Sequence, residues 1–139
     1  MPLIMWAYPR GSAIKAKGGQ DSVYAIDYAA RVACEVGADV VKVNFPNIDA
    51  AGKATSPKEY AQLNEDFTAS VRRIVRSAGK TMVLFSGGGM IDDEALIAQA
   101  RTGMEAGGTG LIFGRNMWQR PMDKALGLSA KLSDVLRSV

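Results

Sequence analysis

A lysine in the middle of an apolar run is the feature of this sequence that most directly suggests chemistry. Lys42 lies within Val-Val-Lys-Val-Asn at residues 40–44. Removing an ammonium group from water is costly, so burial favours loss of its proton and gives a nucleophilic amine. Such an amine can form an imine with a carbonyl substrate. In the alternative, structural interpretation, the lysine extends to the rim of the fold or pairs with an acid.

Aromatic and basic residues come early in the chain, in Trp-Ala-Tyr-Pro-Arg-Gly at residues 6–11. Trp6 and Tyr8 share one face of a predicted strand. Tyr8 stands at the end of that strand, where a phenol can transfer a proton. Arg10 can bind an anion or cap a carbonyl. The alternative for the two aromatic residues is packing at the mouth of the fold.

Two glycine-containing turns follow apolar runs later in the chain. The first is Ser-Gly-Gly-Gly at residues 86–89, where backbone amides and a hydroxyl can cradle a phosphate. The second is Gly-Arg-Asn at residues 114–116. We expect Arg115 to begin a short helix, so that its guanidinium and nearby amides attract an anion. The two turns together predict a phosphate site.

The composition describes an ordinary globular chain. It has 139 residues, enough for one domain, with 47% apolar and 22% charged residues. The net charge of +3 comes from dispersed basic residues, which suits a small anionic ligand and does not indicate nucleic acid. No apolar run approaches the roughly 18 residues of a membrane span. The single cysteine, Cys34, favours a reducing compartment, and we expect a cytoplasmic protein without a signal peptide.

The types of residue present also limit the chemistry. The chain contains no histidine and only one cysteine. The sequence therefore predicts neither a histidine base nor a zinc site of the usual kind. We expect no metal and no cofactor.

Four short apolar runs predict the strands that position these groups. The runs are near-continuous, as in parallel strands that are covered on both faces. They span residues 3–8, 39–45, 81–85 and 110–113. The predicted helices span residues 22–36, 57–77, 92–105 and 122–139. Helix starts are predicted at Asp21 or Ser22 and at Ser56, and helix ends at Gly37, Gly79 and Gly107.

This alternation of strands and helices predicts an α/β fold with parallel strands and right-handed crossovers. Four such units make half of an eight-stranded (β/α)8 barrel, or an open doubly wound sheet. The first turn of the latter usually carries Gly-x-Gly-x-x-Gly, whereas here it reads Tyr-Pro-Arg-Gly. We therefore favour the barrel, with its site at the carboxyl ends of the strands. Lys42 shares the inward face with Val40 and Asn44.

Five motifs, taken as a set, resemble class I fructose-bisphosphate aldolases of the archaeal type, which belong to a larger superfamily of Schiff-base aldolases. They are Trp-Ala-Tyr-Pro-Arg-Gly (6–11), Tyr-Ala-Ala-Arg-Val-Ala (28–33), Gly-Ala-Asp-Val-Val-Lys-Val (37–43), Ser-Gly-Gly-Gly (86–89) and Gly-Arg-Asn-Met-Trp-Gln-Arg (114–120). The resemblance implies a TIM (β/α)8 barrel that cleaves or condenses sugar phosphates. The reaction would pass through an imine between a lysine and dihydroxyacetone phosphate.

The resemblance also implies roles for individual residues. Lys42 would form the imine, Tyr8 would transfer the proton and Trp6 would shape the pocket. The residues implied in substrate or phosphate binding, together with Trp6, are Arg10, Ser86, Gly87, Gly88, Gly114 and Arg115.

The chain departs from the family pattern in two ways. It matches only the C-terminal half of the barrel, as a single domain over residues 1–139. A lone half would expose two strand edges. We therefore expect two copies to pair, or the other half to come from a separate chain. The stretch from Asn44 to Tyr60 is also longer than the family pattern suggests, which is typical of a rim insertion that changes substrate access.

Two alternatives to a fructose-bisphosphate aldolase stay open. One is a related synthase or thiolase that acts on another phosphorylated ketone. The other is a half-barrel that binds phosphate without turnover.

Overall fold

A sheet of four parallel strands forms the centre of the computed structural model, which describes residues 1–139. The strands are β1 (Ile4–Trp6), β2 (Val40–Asn44), β3 (Met82–Ser86) and β4 (Gly110–Ile112). Their order in the sheet is the same as their order in the chain. All four predicted strands are confirmed, with small shifts at their ends. The first strand stops before Tyr8, because the following Pro9 has no N–H group to donate to a ladder.

Eight helices connect and follow the strands. They are α1 (Ser12–Lys15), α2 (Val23–Glu35), α3 (Ala50–Thr55), α4 (Lys58–Ala61), α5 (Phe67–Ser77), α6 (Asp93–Glu105), α7 (Arg115–Trp118) and α8 (Met122–Ser138). The short helix expected at Arg115 is present as α7. None of the eight is long and apolar enough to cross a membrane.

The prediction of one helix over residues 57–77 is wrong. The segment contains two helices, because Asp66 caps α5 by accepting a hydrogen bond of 2.7 Å from the N–H of Ala69. An aspartate in this role favours a helix start over a helix interior. The predicted cap at Ser56 is also wrong, since its hydroxyl donates to the carbonyl of Gly52 at 2.9 Å.

The other predicted helix boundaries are confirmed. Ser22 caps α2, accepting a hydrogen bond of 3.2 Å from the N–H of Ala25. Three helices end at Gly37, Gly79 and Gly107, whose φ angles are 85°, 61° and 98°. This left-handed conformation terminates a helix and suits a residue without a side chain.

One face of the sheet, here called the outer face, carries the main core. Val41, Val43 and Phe85 are fully buried there, packed with apolar residues of α2 and α5. Phe45 stacks on Phe85 with ring centroids 4.6 Å apart. A second, smaller cluster joins α6 to α8 through Leu96, Ala100, Leu128, Leu132 and Val135. The helices therefore bury the outer face.

The opposite face, here called the inner face, remains open. Ile4, Trp6, Met82 and Ile112 project from it, and each is exposed. The strand β1 pairs only with β2, and β4 pairs only with β3, so both edges of the sheet are free. The fold is thus a sheet of β/α units with one face covered by helices and one face largely exposed.

A buried polar pair lies in the helical layer. The hydroxyl of Tyr60 donates a hydrogen bond of 2.6 Å to Oδ2 of Asp27, while Oδ1 of Asp27 is buried without a partner. Burial raises the pKa of the Tyr60 hydroxyl, and its bond to Asp27 adds to that effect. Nearby, the carboxylate of Glu65 pairs with the guanidinium of Arg73 at 2.5 Å. This pairing raises the pKa of Arg73.

Candidate functional site

The register of the sheet places the candidate residues in two levels on the inner face. Trp6 pairs with Lys42, which in turn pairs with Leu84. Asn44 pairs with Ser86 one level nearer the carboxyl ends, and Ser86 pairs with Ile112. Because alternate residues of a strand share a face, all of these side chains point to the same side. The lysine and the polar groups therefore meet at one end of the sheet.

Lys42 lies between the aromatic residues of β1 and the segment that follows it. Its Nζ is 4.5 Å from the centroid of the Trp6 ring and 5.4 Å from that of Tyr8. The amine forms no ion pair and no hydrogen bond with another residue. The side chain is half-buried instead of fully enclosed. An unpaired amine on an aromatic surface is available to a ligand that enters the open side.

Four polar residues form a continuous chain of hydrogen bonds beside the lysine. The hydroxyl of Tyr8 donates to Oγ of Ser86 at 3.1 Å. The Ser86 hydroxyl donates to Oδ1 of Asn44, and Nδ2 of Asn44 donates to Oδ1 of Asp21 at 2.7 Å. Tyr8 is half-buried and Ser86 is buried. The phenol is thereby held in one orientation at the carboxyl end of the sheet.

The glycine turn after β3 is shaped by Asn116. This side chain is fully buried, and its Nδ2 donates to the carbonyls of Gly87 and Gly89 at 3.0 and 2.9 Å. Its Oδ1 accepts a hydrogen bond of 3.0 Å from the N–H of Ile91. A Cβ atom at Gly87 would stand 2.8 Å from Nδ2 of Asn116, so only glycine allows this close approach.

Arg120 holds the same turn from behind. Its guanidinium donates to the carbonyls of Asn116 and Ile91 at 2.5 and 2.7 Å and pairs with Asp93 at 2.8 Å. The side chain is almost completely buried. The two glycine turns are therefore tied into one unit. The N–H of Gly87 donates to the carbonyl of Ile112 at 3.4 Å, and the amides of Gly88 and Gly114 are left to the cleft.

These residues border an open cleft of about 490 Å³. Its lining includes Tyr8, Arg10, Gln20, Asp21, Lys42, Asn44, Ser86, Gly87, Gly88, Gly89, Ile112, Gly114, Arg115 and Trp118. Three of the side chains are cationic and one is anionic, and backbone amides of the glycine turns add further partial positive charge. The cleft thus suits a small anionic ligand that carries a carbonyl group within reach of an amine.

The structure brings nearly all of the predicted site residues together. Lys42 and Tyr8 share the cleft with the residues predicted to bind substrate or phosphate. Trp6 is different, because it supports the lysine from below and does not line the cleft. Arg10 and Arg115 lie exposed at the rim.

Sequence reasoning did not single out Asp21, Asn44 or Asn116 as functional residues. Asn44 was placed on the correct face, but its partners come from elements 23 and 42 residues away. Asn116 was present only within a motif, and its contacts reach back 29 residues to Gly87. Long-range pairing of this kind leaves no mark in local spacing. A polar residue on an inward strand face was the one available signal.

Comparison with known proteins identifies the class of proteins to which this fold and this cleft belong. The model of the DeoC/LacD family aldolases matches residues 1–120, and the chain belongs to that family. Among curated relatives, the class 1 fructose-bisphosphate aldolase of Halobacterium salinarum is 35% identical over 120 residues, which are 86% of this chain and 37% of that protein. The class 1 enzyme of Thermoproteus tenax is 34% identical over 121 residues, or 86% of this chain and 38% of the relative.

Solved structures agree with this assignment. An archaeal fructose 1,6-bisphosphate aldolase superposes with a TM-score of 0.76 and 30% identity, covering 100% of this chain and 46% of that one. Another archaeal aldolase, whose catalytic lysine is covalently bound to the carbinolamine intermediate of its substrate, gives a TM-score of 0.74 at 29% identity over 97% of this chain and 45% of its own. The chain thus spans less than half the length of these relatives, as a partial TIM barrel.

Proposed function

We propose that this chain carries the imine-forming side of a class I aldolase site for a phosphorylated ketose such as fructose 1,6-bisphosphate. The observation that carries the proposal is the position of Lys42. Its unpaired amine shares one cleft with a phenol, two arginines and two glycine turns. That set of groups matches what imine chemistry on a sugar phosphate requires.

In the proposed reaction, the Lys42 amine attacks the ketone carbon to give a carbinolamine. Loss of water then gives an iminium ion. When the carbon–carbon bond next to it breaks, the iminium takes up the electron pair and becomes an enamine, while the hydroxyl on the leaving carbon loses its proton and becomes an aldehyde. Tyr8, or a water that it orients, moves that proton. Protonation and hydrolysis of the enamine release dihydroxyacetone phosphate and restore the amine.

The phosphate groups would be held by the glycine turns and the rim arginines. The amides of Gly88 and Gly114 can bind phosphate oxygens without a side chain in the way. The N–H of Gly87 already donates to the carbonyl of Ile112 at 3.4 Å, so Gly87 would contribute its lack of a side chain. The guanidinium groups of Arg10 and Arg115 supply the opposite charge. The Ser86 hydroxyl already donates its proton to Asn44, so it can only accept a further hydrogen bond.

The test is covalent trapping. The protein is incubated with dihydroxyacetone phosphate and borohydride, and its intact mass is measured. We expect a reduced adduct in the wild type, and none in Lys42→Met, which keeps the apolar stem but lacks the amine. Lys80→Met, which removes a lysine outside the cleft, is the matched control and should still form the adduct. An adduct that persists in Lys42→Met would refute the assignment.

The open inner face favours a second candidate, a half-barrel that binds phosphate without turnover. Trp6, on the face next to Lys42, is 68% exposed, so water reaches the surroundings of the amine. Inorganic phosphate binding measured by calorimetry separates the two candidates. A binding-only module keeps its affinity in Lys42→Met and forms no adduct in the wild type.

We further propose that four more β/α units complete the barrel, from a second copy or from another chain. The two free strand edges and the exposed apolar residues of the inner face support this pairing. Sedimentation at micromolar concentration tests it. A dimer indicates that two copies pair, whereas a stable, folded monomer would count against self-pairing and turn attention to a separate partner.

A further inference from the structure

We infer that Asn44 and Asp21 are positioning residues for the Tyr8 phenol, through the hydrogen-bond chain that links Asp21, Asn44, Ser86 and Tyr8. This inference rests on the proposed aldolase function. Neither residue belongs to the motifs of the phosphate turns. Both line the same cleft as Lys42.

The direction of the chain follows from the chemistry of its end group. An ionised carboxylate only accepts hydrogen bonds, so the amide of Asn44 must turn its Nδ2 towards Asp21, and the 2.7 Å contact is of that kind. The amide oxygen then faces Ser86, which must donate its single proton to it. Ser86 has no proton left for Tyr8. The phenol is therefore the donor in the 3.1 Å contact between them.

The consequence for Tyr8 is a fixed polarity towards the cleft. Its proton is directed to Ser86, so the phenolic oxygen offers only lone pairs to a ligand. A neutral phenol in that state cannot take up a second proton. It instead orients, by accepting a hydrogen bond, the water that takes up the substrate proton. If Asn44 were apolar, the Ser86 hydroxyl would be free to rotate and to donate to Tyr8 instead. The phenol would then lose its preferred direction.

The chain orients the phenol but does not carry protons to Asp21. A proton that moved from Tyr8 to Ser86 would have to be passed on by the amide of Asn44, whose oxygen is a weak base and whose N–H is a weak acid. An amide link therefore blocks net transfer. Asn44 and Asp21 act through Ser86 and do not touch the reacting atoms.

Sheet register explains why these residues can do this. Asn44 and Ser86 are paired neighbours on β2 and β3, and Tyr8 lies two residues beyond Trp6, which pairs with Lys42. The three side chains thus occupy the level directly above the lysine. Asp21 reaches them because the segment before α2 is bonded to the segment after β2, with the N–H of Asn47 donating to the carbonyl of Asp21 at 2.6 Å.

The test separates imine formation from proton transfer. Borohydride trapping with dihydroxyacetone phosphate measures the imine. Exchange of a carbon-bound hydrogen of dihydroxyacetone phosphate for solvent deuterium, followed by NMR, measures the proton step. In Asn44→Leu we expect the trapped adduct to be retained and the exchange to slow by about 10- to 100-fold, the order of loss for a misplaced reacting group.

Graded variants distinguish positioning from general damage. Asp21→Asn keeps an acceptor for Asn44 and should retain most of the exchange rate, whereas Asp21→Ala should resemble Asn44→Leu. Asn64→Leu, the same change at an exposed position, should leave both readouts unchanged. The inference is overturned if Asn44→Leu exchanges at the wild-type rate, or if it loses the adduct and the exchange in equal proportion.

A spectroscopic readout keeps this inference distinct from the proposed function. In protein with 13C-labelled tyrosine, the Tyr8 ring signals, assigned with Tyr8→Phe, should shift in Asn44→Leu and not in Asn64→Leu. If the wild type forms no adduct, the proposed function fails, and these signals still decide whether Asn44 orients Tyr8. Unchanged Tyr8 signals in Asn44→Leu would overturn the inference even in an active enzyme.

Discussion

The two faces of the sheet are formed by the same strands, but the outer face is buried and the inner face is largely exposed. On the outer face Phe85 is 0% exposed, whereas on the inner face Met82, three residues earlier on the same strand, is 46% exposed. Both are large apolar side chains. The difference between them comes from what covers each face, since helices pack on the outer one and much of the inner one stays exposed.

This comparison separates the stability of the fold from the completeness of the site. The outer face has a close-packed core of its own, so the sheet does not need the inner face in order to hold its helices. The inner face carries the lysine, the phenol and the hydrogen-bond chain, beside apolar residues left in water. Substitutions on the two faces should therefore have different kinds of effect.

The largest effect on stability is expected at Phe85. Truncation in Phe85→Ala removes the ring that stacks on Phe45 and leaves a cavity, which should lower the free energy of unfolding by about 3–5 kcal/mol. Urea denaturation of dilute protein measures it. Met82→Ala, on the inner face of the same strand, is the matched control and should cost less than about 1 kcal/mol. Equal costs would mean that the two faces are equally covered.

A smaller loss is expected at Asn116, which holds the glycine turn that follows β3. In Asn116→Leu the N–H of Ile91 and the carbonyls of Gly87 and Gly89 lose their partner, at a cost of about 1–3 kcal/mol. The measurement is again urea denaturation, with phosphate binding as a second readout. Asn64→Leu is the exposed control. Normal phosphate affinity in Asn116→Leu would show that the turn keeps its shape without this side chain.

Trp6 gives a concentration-dependent effect if the inner face is an interface. Its ring is largely exposed in the single chain, so Trp6→Ala should change the stability of dilute protein by less than about 1 kcal/mol. A paired barrel is stabilised by mass action, so its thermal midpoint should rise with concentration, and Trp6→Ala should weaken that rise. A wild-type midpoint that is independent of concentration would contradict pairing of two copies.

The smallest effect concerns pH and lies in the helical layer behind the outer face. The pKa of Tyr60 is raised by burial and by Asp27. The unfolded phenol ionises near pH 10 while the folded one stays protonated, so its contribution to stability is fully present below about pH 10 and is lost as the pH rises through the folded pKa. Partial exposure should keep this loss below the limit of about 1.4 kcal/mol per pH unit for one proton.

The control for this pH effect is Tyr60→Phe, which should unfold with a shallower loss of stability above pH 10 than the wild type. Chemical denaturation at several pH values between 8 and about 11 gives both curves, and the difference between them removes the titration of the lysines. Parallel curves would mean that Tyr60 ionises equally in the folded and unfolded states.

Local patterns in the sequence were sufficient to predict which strand residues lie on each face of the sheet and where the lysine lies. The alternation around Lys42 is a property of one strand, so Val41 and Val43 were correctly assigned to the covered face. The glycine helix ends were predicted for the same reason. The break at Asp66 was not, because a capping side chain and a helical pattern compete within the same few residues.

Contacts between distant segments account for what could not be predicted. The polarity of Tyr8 depends on Ser86, 78 residues further along the chain, and the shape of the glycine turn depends on Asn116. The strand sequences also do not indicate that the inner face is open. An apolar residue gives the same strand pattern whether or not another element covers it. The resemblance to half a barrel was the only indication of that face.

The agreement between chain order and sheet order has a consequence for how such proteins arise. Each strand pairs only with the strands that precede and follow it in sequence, and β1 never contacts β4. No hydrogen bond between the first and the last strand therefore fixes how many β/α units the sheet must contain. A gene that is divided or joined between two units leaves every remaining strand beside its sequence neighbour. Duplication, fission and fusion can therefore change the number of strands without changing their order in the sheet.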